Sequence, residues 1–92
     1  MRINFAHVRE RAAAGGYVDF AVFDARSSSG SDADNATLLH QLTVAARLLG
    51  LKIDQSVLAY NEAGRVRVYG AKTLVDYLAR VPFPQWTSFV DV

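Results

Sequence analysis

One segment that is apolar on both of its faces constrains this sequence more than any other feature. Residues 17–25 read YVDFAVFDA and are rich in the β-branched and aromatic residues that favour strands. Side chains alternate along a strand, so Phe20 and Val22 share one face while Ala21 and Phe23 share the other. Because both faces need cover, the segment is predicted to be a central strand of a sheet.

The residues before this strand predict a short N-terminal helix. Asn4 can cap it, and Phe5, Val8 and Ala12 then recur on one side at helical spacing. The glycine pair that follows Ala14 is typical of a helix end.

Two helices and three strands are predicted to follow. A long helix runs from Ser31 or Asp32 to about Leu49. Its inner stripe is formed by Leu38, Leu42, Ala45, Ala46 and Leu49. Residues 56–60 and 65–69 read as a hairpin with Gly64 in its turn, and residues 86–92 read as a terminal strand. Between them, a last helix after Gly70 has the inward residues Leu74, Leu78 and Val81.

The resulting order is one helix and then βαββαβ, which is the element order of the ferredoxin-like arrangement. The sequence therefore predicts a single α+β domain over residues 1–92: a ferredoxin-like βαββαβ antiparallel sheet with an extra N-terminal helix. Both crossover helices would then lie on one face of the sheet. Another α+β order of the same elements is the alternative.

Composition limits the functional classes. The 10 basic and 9 acidic residues give a net charge of +1, which supplies no large field for attracting a polyanion. There is no cysteine, so a disulfide, a catalytic thiolate and a cysteine-based zinc site are excluded. The sequence has no long apolar run and no signal-peptide pattern, so we expect no membrane segment and a cytoplasmic location.

The loop before the long helix is the candidate for anion binding. Its residues are Arg26, Ser27, Ser28, Ser29, Gly30 and Ser31. Backbone N–H groups at a helix N-terminus can hold an anion, and Arg26 could clamp it. The alternative is a capped surface loop, because Asp32 and Asp34 oppose an anion and satisfy the helix dipole themselves.

A second candidate lies on the hairpin. The alternation in residues 65–69 places Arg65, Arg67 and Tyr69 on one strand face, where cations beside an aromatic ring can bind single-stranded nucleic acid. The balanced net charge instead favours a solvated face or a contact with another protein.

Apolar residues outside the predicted core indicate an interaction surface. Val44 and Leu48 form a second stripe on the long helix, and Phe23 and Trp86 add apolar area. The alternative is that the N-terminal helix or the C-terminal tail covers these residues. Together with Arg65, Arg67 and Tyr69, they make up the predicted interface. The expected partner is a second copy of the chain or another protein.

No catalytic constellation is evident. His7 and His40 fall on the polar sides of their predicted helices, and no motif frames a nucleophilic serine. Asp19 and Asp24 point to opposite faces of their strand, so they make no acid–base pair. We expect no metal and no cofactor.

The segments VDFAVFDAR (residues 18–26) and SGSDADN (residues 29–35) resemble small uncharacterised proteins of high-GC proteobacteria, often carried on mobile elements. The resemblance brings no catalytic residue and no ligand. Mobile elements carry many small binding proteins, so it implies an interaction role. The sequence thus favours a non-enzymatic, self-associating interaction module, with an anion-binding sensor or small enzyme, or a nucleic-acid binder, as alternatives.

Overall fold

The computed structural model describes residues 2–26, 32–80 and 83–92. The elements in chain order are β1 (Arg2–Arg11), β2 (Tyr17–Ala25), α1 (Asp32–Leu48), β3 (Gln55–Glu62), β4 (Arg65–Gly70), α2 (Lys72–Leu78) and β5 (Ser88–Asp91). Within the described residues, no helix is long and apolar enough to cross a membrane.

The strands form one mixed sheet in the order β4-β3-β2-β1-β5. The β2 and β3 strands are parallel, and every other neighbouring pair is antiparallel. The predicted antiparallel sheet is therefore wrong. Parallel neighbours need a long crossover, and α1 supplies it. The predicted internal position of β2 and the hairpin beside it are confirmed.

The ferredoxin-like prediction is wrong, and the N-terminal helix is its first error. Residues 2–11 form a strand instead, in which Ile3 and Phe5 are buried on one face and Ala6 lies buried on the other. Apolar residues at helical spacing also fit this strand, because both of its faces are covered near its start. Gly15 and Gly16, both with positive φ, belong to the turn between β1 and β2 rather than to a helix end.

The second error concerns the helices, which lie on opposite faces of the sheet. On one face α1 packs over a cluster that includes Phe23, Leu42 and Leu58. On the other face α2 packs over a cluster that includes Phe20 and Leu74. The two-sided apolar pattern of β2 therefore reflects a three-layer arrangement, with helix on sheet on helix.

Helix α1 presents most of its predicted stripe to the core. Leu42 and Ala46 are fully buried, and Leu38 and Ala45 pack partly against the same cluster. Leu49 is exposed, contrary to the prediction, because the helix ends one residue before it.

The hairpin of β3 and β4 is longer than predicted and turns over two residues. Ala63 and Gly64 both have positive φ, as a tight hairpin turn requires. Gly70 ends β4 where an added Cβ would lie 2.7 Å from the Ser56 carbonyl oxygen, so only glycine fits there.

Candidate functional site

The predicted anion-binding loop is described only at its first residue, because residues 27–31 lie outside the described residues. Arg26 donates two hydrogen bonds to the Asp24 carboxylate, from Nε to Oδ1 (2.8 Å) and from Nη2 to Oδ2 (3.1 Å). Its guanidinium also lies 5.5 Å from the ring centre of Trp86 and 5.8 Å from that of Phe83. Arg26 would have to break its two hydrogen bonds with Asp24 before its guanidinium could bind an anion through both nitrogens.

The predicted cationic row on β4 does lie on one face, on the α1 side of the sheet. Tyr69 is opposite Leu58 and packs against the core cluster, so its ring is only partly available for stacking. Arg67 pairs with Glu62 (Nε to Oε2, 3.4 Å), and Arg65 stands opposite Glu62 in register. A carboxylate thus offsets the charge of this row.

The predicted apolar interface separates into exposed and buried residues. Leu48 is 82% exposed and Val44 is 40% exposed, on the outer side of α1. Phe23 is fully buried against Phe5, with ring centres 5.4 Å apart, and cannot form a surface contact in this fold. Trp86 packs partly against the cluster beneath α2.

A cluster of charged residues that the sequence analysis did not identify surrounds Asp19. We call it the Asp19 centre: His7, Arg9, Asp19, Lys52 and Asp54. The register of β1 and β2 places Arg9 directly opposite Asp19 and places His7 one pleat further along the same face. The connection from α1 to β3 brings Lys52 and Asp54 to the same end of the sheet.

Backbone hydrogen bonds hold this connection against β2. The Asp19 N–H donates to Oδ2 of Asp54 (3.0 Å), and the Asp54 N–H donates to the Asp19 carbonyl oxygen (2.8 Å). Arg47 donates to the Ile53 carbonyl oxygen (2.9 Å). His7 Nε2 lies 2.9 Å from the Lys52 carbonyl oxygen, so Nε2 carries a proton and donates it. The position of Asp19 is therefore fixed from both sides.

The Asp19 carboxylate is buried, with its side chain only 4% exposed. His7 Nε2 and Arg9 Nε each lie 3.4 Å from Oδ1, and Lys52 Nζ lies 3.9 Å from Oδ2. Within the described part of the chain, Oδ2 accepts no hydrogen bond. The charge of Asp19 is thus balanced by nearby cations, but one of its oxygens has no donor.

An exposed aromatic ring borders the Asp19 centre. The Arg9 guanidinium lies 5.1 Å from the ring centre of Tyr17, whose side chain is mostly exposed. Tyr17 and Asp19 are two residues apart on β2, so both side chains are on the α1 side of the sheet.

The sequence contained one indication of this site, a charged residue within an otherwise apolar strand. Asp19 could have been singled out on that ground, because a buried charge needs partners. His7 could not be assigned to it, since the predicted N-terminal helix separated His7 from the sheet. The described residues contain no group of three His, Cys, Asp or Glu side chains that could hold a metal ion.

Two open grooves flank α2 on the opposite side of the sheet. One, of about 580 Å³, includes Phe20, Leu74 and Tyr77 in its lining, and the other, of about 360 Å³, includes Val68 and Leu78. Tyr77 donates a hydrogen bond to Oε1 of Glu10 (2.9 Å), which raises the pKa of its phenol.

No family model matches this chain, and the searches of curated proteins and of solved structures each returned no match.

Proposed function

We propose that this protein is a small interaction module that self-associates through the outer side of α1. The contact surface is the α1 patch, Val44 and Leu48, with the exposed Leu49 directly after it. The observation that carries the proposal is the exposure of Leu48, a large aliphatic side chain that packs against little of its own chain. Its burial in a contact would contribute roughly 25 cal/mol per Å² of apolar area before the costs of association.

The sheet faces are poor alternatives for such a contact. Each face is covered by a helix, so the apolar residues of β2 are already buried within the chain. The outer side of α1 is different, because Val44 and Leu48 are four residues apart and lie next to each other on the helix surface.

The two alternative functions receive less support from the geometry. An anion bound by Arg26 would compete with the Asp24 carboxylate, which already accepts two hydrogen bonds from the same guanidinium. A nucleic-acid surface on β4 would have to displace Glu62 from Arg67, and its single aromatic ring is partly covered.

A two-fold contact of α1 with α1 would fit this patch. Equal copies most often pair across a two-fold axis, where each patch meets the same patch of the partner. Standard interfaces bury about 800 Å² per partner, which is more than two aliphatic side chains provide. Polar residues around the patch would supply the remaining area, and we expect the dimer to dissociate on dilution.

Sedimentation velocity across a dilution series tests the proposal. We expect the wild type to shift from dimer to monomer on dilution, and Leu48→Glu to remain a folded monomer at every concentration. Ala36→Glu is the matched control: it adds the same charge at an exposed position of α1, roughly 18 Å along the helix axis from Leu48.

The control variant should dimerise as the wild type does. A wild type that stays monomeric at the highest concentration would contradict the proposal. So would equal dissociation by Leu48→Glu and Ala36→Glu, since the contact would then not depend on the patch.

A further inference from the structure

The outer edge of β4 carries backbone hydrogen-bonding groups that the sheet does not use. β4 is the last strand at its end of the sheet, and among the described strands it pairs only with β3. The two-residue turn makes Glu62 and Arg65 a hydrogen-bonded pair, and such pairs then alternate along the hairpin. The backbone N–H and C=O groups of Val66, Val68 and Gly70 therefore point away from β3.

The described part of the chain leaves this edge open to pairing. None of its hydrogen bonds uses the outward groups of β4. The register with β3 has no bulge, and the six residues of β4 include neither proline nor lysine. Proteins often protect an exposed edge with one of these three features. The strand at the other end of the sheet, β5, has only four residues, so β4 is the longer template for an added strand.

An apolar groove lies beside this edge, on the α2 side of the sheet. Its volume is about 360 Å³, and its lining includes Val66, Val68, Val75, Leu78 and Phe83. The Val66 side chain is 51% exposed, so it has room for a further contact. Alternate side chains of an added strand would lie next to the two valines of β4, over this groove. The groove thus favours a strand with an apolar residue at every second position.

The α1 side of the same edge is cationic. Arg65 and Arg67 are both exposed there, and Arg67 pairs with Glu62 (Nε to Oε2, 3.4 Å). Arg65 makes no ion pair with any described residue, so this row keeps a net positive charge. Opposite charges on neighbouring strands stabilise a sheet and like charges destabilise it. The edge therefore favours an acidic strand over a second copy of β4, which carries the same arginines.

We propose that β4 binds an extended segment of another protein, in which apolar and acidic residues alternate, as a sixth strand antiparallel to β4. The apolar side chains lie over the groove, and the acidic side chains lie beside Arg65 and Arg67. Main-chain hydrogen bonds to the outward groups of β4 provide the affinity, and the two rows of side chains provide the specificity. The edge is a different surface from the α1 patch, so this binding does not require self-association.

Chemical-shift titration of the full chain with a synthetic peptide, EVEVEVE with blocked ends, tests the proposal at pH 7 and constant ionic strength. We expect the largest shifts at the amides of β4 and no shifts at those of β5. Two control peptides should bind more weakly. KVKVKVK keeps the alternation and reverses the charge, whereas EEVVVEE keeps the composition and loses the alternation.

Methylation of the peptide nitrogens tests the main-chain hydrogen bonds. In the proposed antiparallel alignment, the valine amides of the peptide face β4 and the glutamate amides face solvent. EVEVEVE that is methylated at its valine nitrogens should therefore lose binding. The same peptide methylated at its glutamate nitrogens should bind nearly as well as the unmodified one.

Reversal of one charge in the protein tests the specificity of the edge. Arg65→Glu should weaken EVEVEVE and strengthen KVKVKVK, each by roughly five-fold, since it changes the sign of one cross-strand pair. Partial unfolding would not move the two affinities in opposite directions. Arg11→Glu is the matched control, because it makes the same change at an exposed position of β1, and it should alter neither affinity.

A proline in β4 tests the edge itself. The Val66 N–H points away from β3, so Val66→Pro removes a donor from the free edge and leaves the hairpin hydrogen bonds in place. This variant should not bind EVEVEVE, whereas Val66→Ile, which keeps the N–H, should bind it as the wild type does. If Val66→Pro does not fold, the methylated peptides still test the same hydrogen bonds from the other side.

Four results would overturn the proposal. EEVVVEE could bind as tightly as EVEVEVE, or the valine-methylated peptide as tightly as the glutamate-methylated one. Equal weakening of EVEVEVE by Arg65→Glu and Arg11→Glu would show that binding follows general charge. Shifts at the β4 amides on raising the protein concentration alone would show that a second copy occupies the edge.

Discussion

Asp24 and Arg26 show how one residue pair can fix the end of a strand. Arg26 donates hydrogen bonds to both carboxylate oxygens of Asp24, and these bonds are the main reason that the pKa of Asp24 is lowered. Partial burial of Asp24 acts in the opposite direction and raises its pKa, but by less. The same hydrogen bond raises the pKa of Arg26. Because Asp24 binds its proton less readily in the folded chain, the pair stabilises the fold only while Asp24 is ionised.

Replacement of Arg26 by glutamine should remove this pH-dependent contribution. Above the unfolded pKa of an aspartate, about 3.9, we expect Arg26→Gln to lower the free energy of unfolding by roughly 0.5–1 kcal/mol. The value is small because the Arg26 side chain is partly in water. As the pH falls through the lowered pKa of Asp24, the difference from wild type should vanish. Urea denaturation between pH 7 and pH 3 measures it.

Arg11→Gln serves as the control, since it removes the same charge from an exposed position of β1. The effect of this substitution on the free energy of unfolding should not disappear as the pH falls. A stability difference for Arg26→Gln that stays constant down to pH 3 would show that the ion pair is not its source.

The residues of the candidate sites differ in how far sequence could predict them. Helical spacing placed Val44 and Leu48 off the main apolar stripe and His40 on the polar side of α1, and all three residues are exposed in the structure. Phe23 was predicted to be exposed because the ferredoxin-like arrangement places both helices on one face of the sheet, whereas in this fold a helix covers each face. In the Asp19 centre, His7 contacts Lys52, which lies 45 positions away in the sequence, and only the folding of the sheet brings the two together.

At the scale of elements, the local sequence predicted the β3–β4 hairpin correctly. At the N-terminus it predicted a helix where the chain forms the strand β1. The hairpin has a glycine in its two-residue turn, and apolar and polar residues alternate in the strands on either side. Both features predict the same hairpin. Residues 4–12 carry a pattern that suits a helix or a strand, and the pairing of β1 with both β2 and β5 decides between them. Pairing across the chain overrides local preference in such segments.

The hairpin turn also contains a residue that strains it. Ala63 has a φ of +52°, a left-handed conformation that costs an ordinary residue roughly 1–2 kcal/mol. Asparagine adopts this conformation more readily and precedes glycine in favoured hairpin turns. We expect Ala63→Asn to raise the free energy of unfolding by roughly 0.5–1 kcal/mol in urea denaturation.

Ala63→Val is the matched opposite change at the same position. A β-branched side chain is disfavoured at positive φ, so this variant should be less stable than wild type. Equal stability of the two variants would show that the turn adapts its backbone and that the strain is absent in solution.

Across the whole molecule, the two layers that cover the sheet are unequal. The α1 layer has 17 helical residues over a cluster in which Phe5, Phe23 and Leu42 are completely buried. The α2 layer has seven helical residues, of which Leu74 and Leu78 are buried, and its N-cap Ala71 makes no side-chain hydrogen bond. Open grooves of about 580 and 360 Å³ border this second layer.

Because the α2 layer has fewer buried contacts, it should open without the rest of the fold. Local opening free energies range from near zero up to that of global unfolding, and short helices with little buried apolar area lie at the low end. In native-state hydrogen exchange, we expect the amides of α2 to exchange through an opening that leaves β2 and α1 protected. Leu78→Ala should then speed exchange in α2 alone, whereas Leu42→Ala should lower protection throughout the sheet.

If α2 and β2 amides instead share one opening free energy at every denaturant concentration, the two layers unfold together. In that case Phe20, which packs edge-on against Tyr77 with ring centres 6.0 Å apart, would be the natural link between α2 and the centre of the sheet.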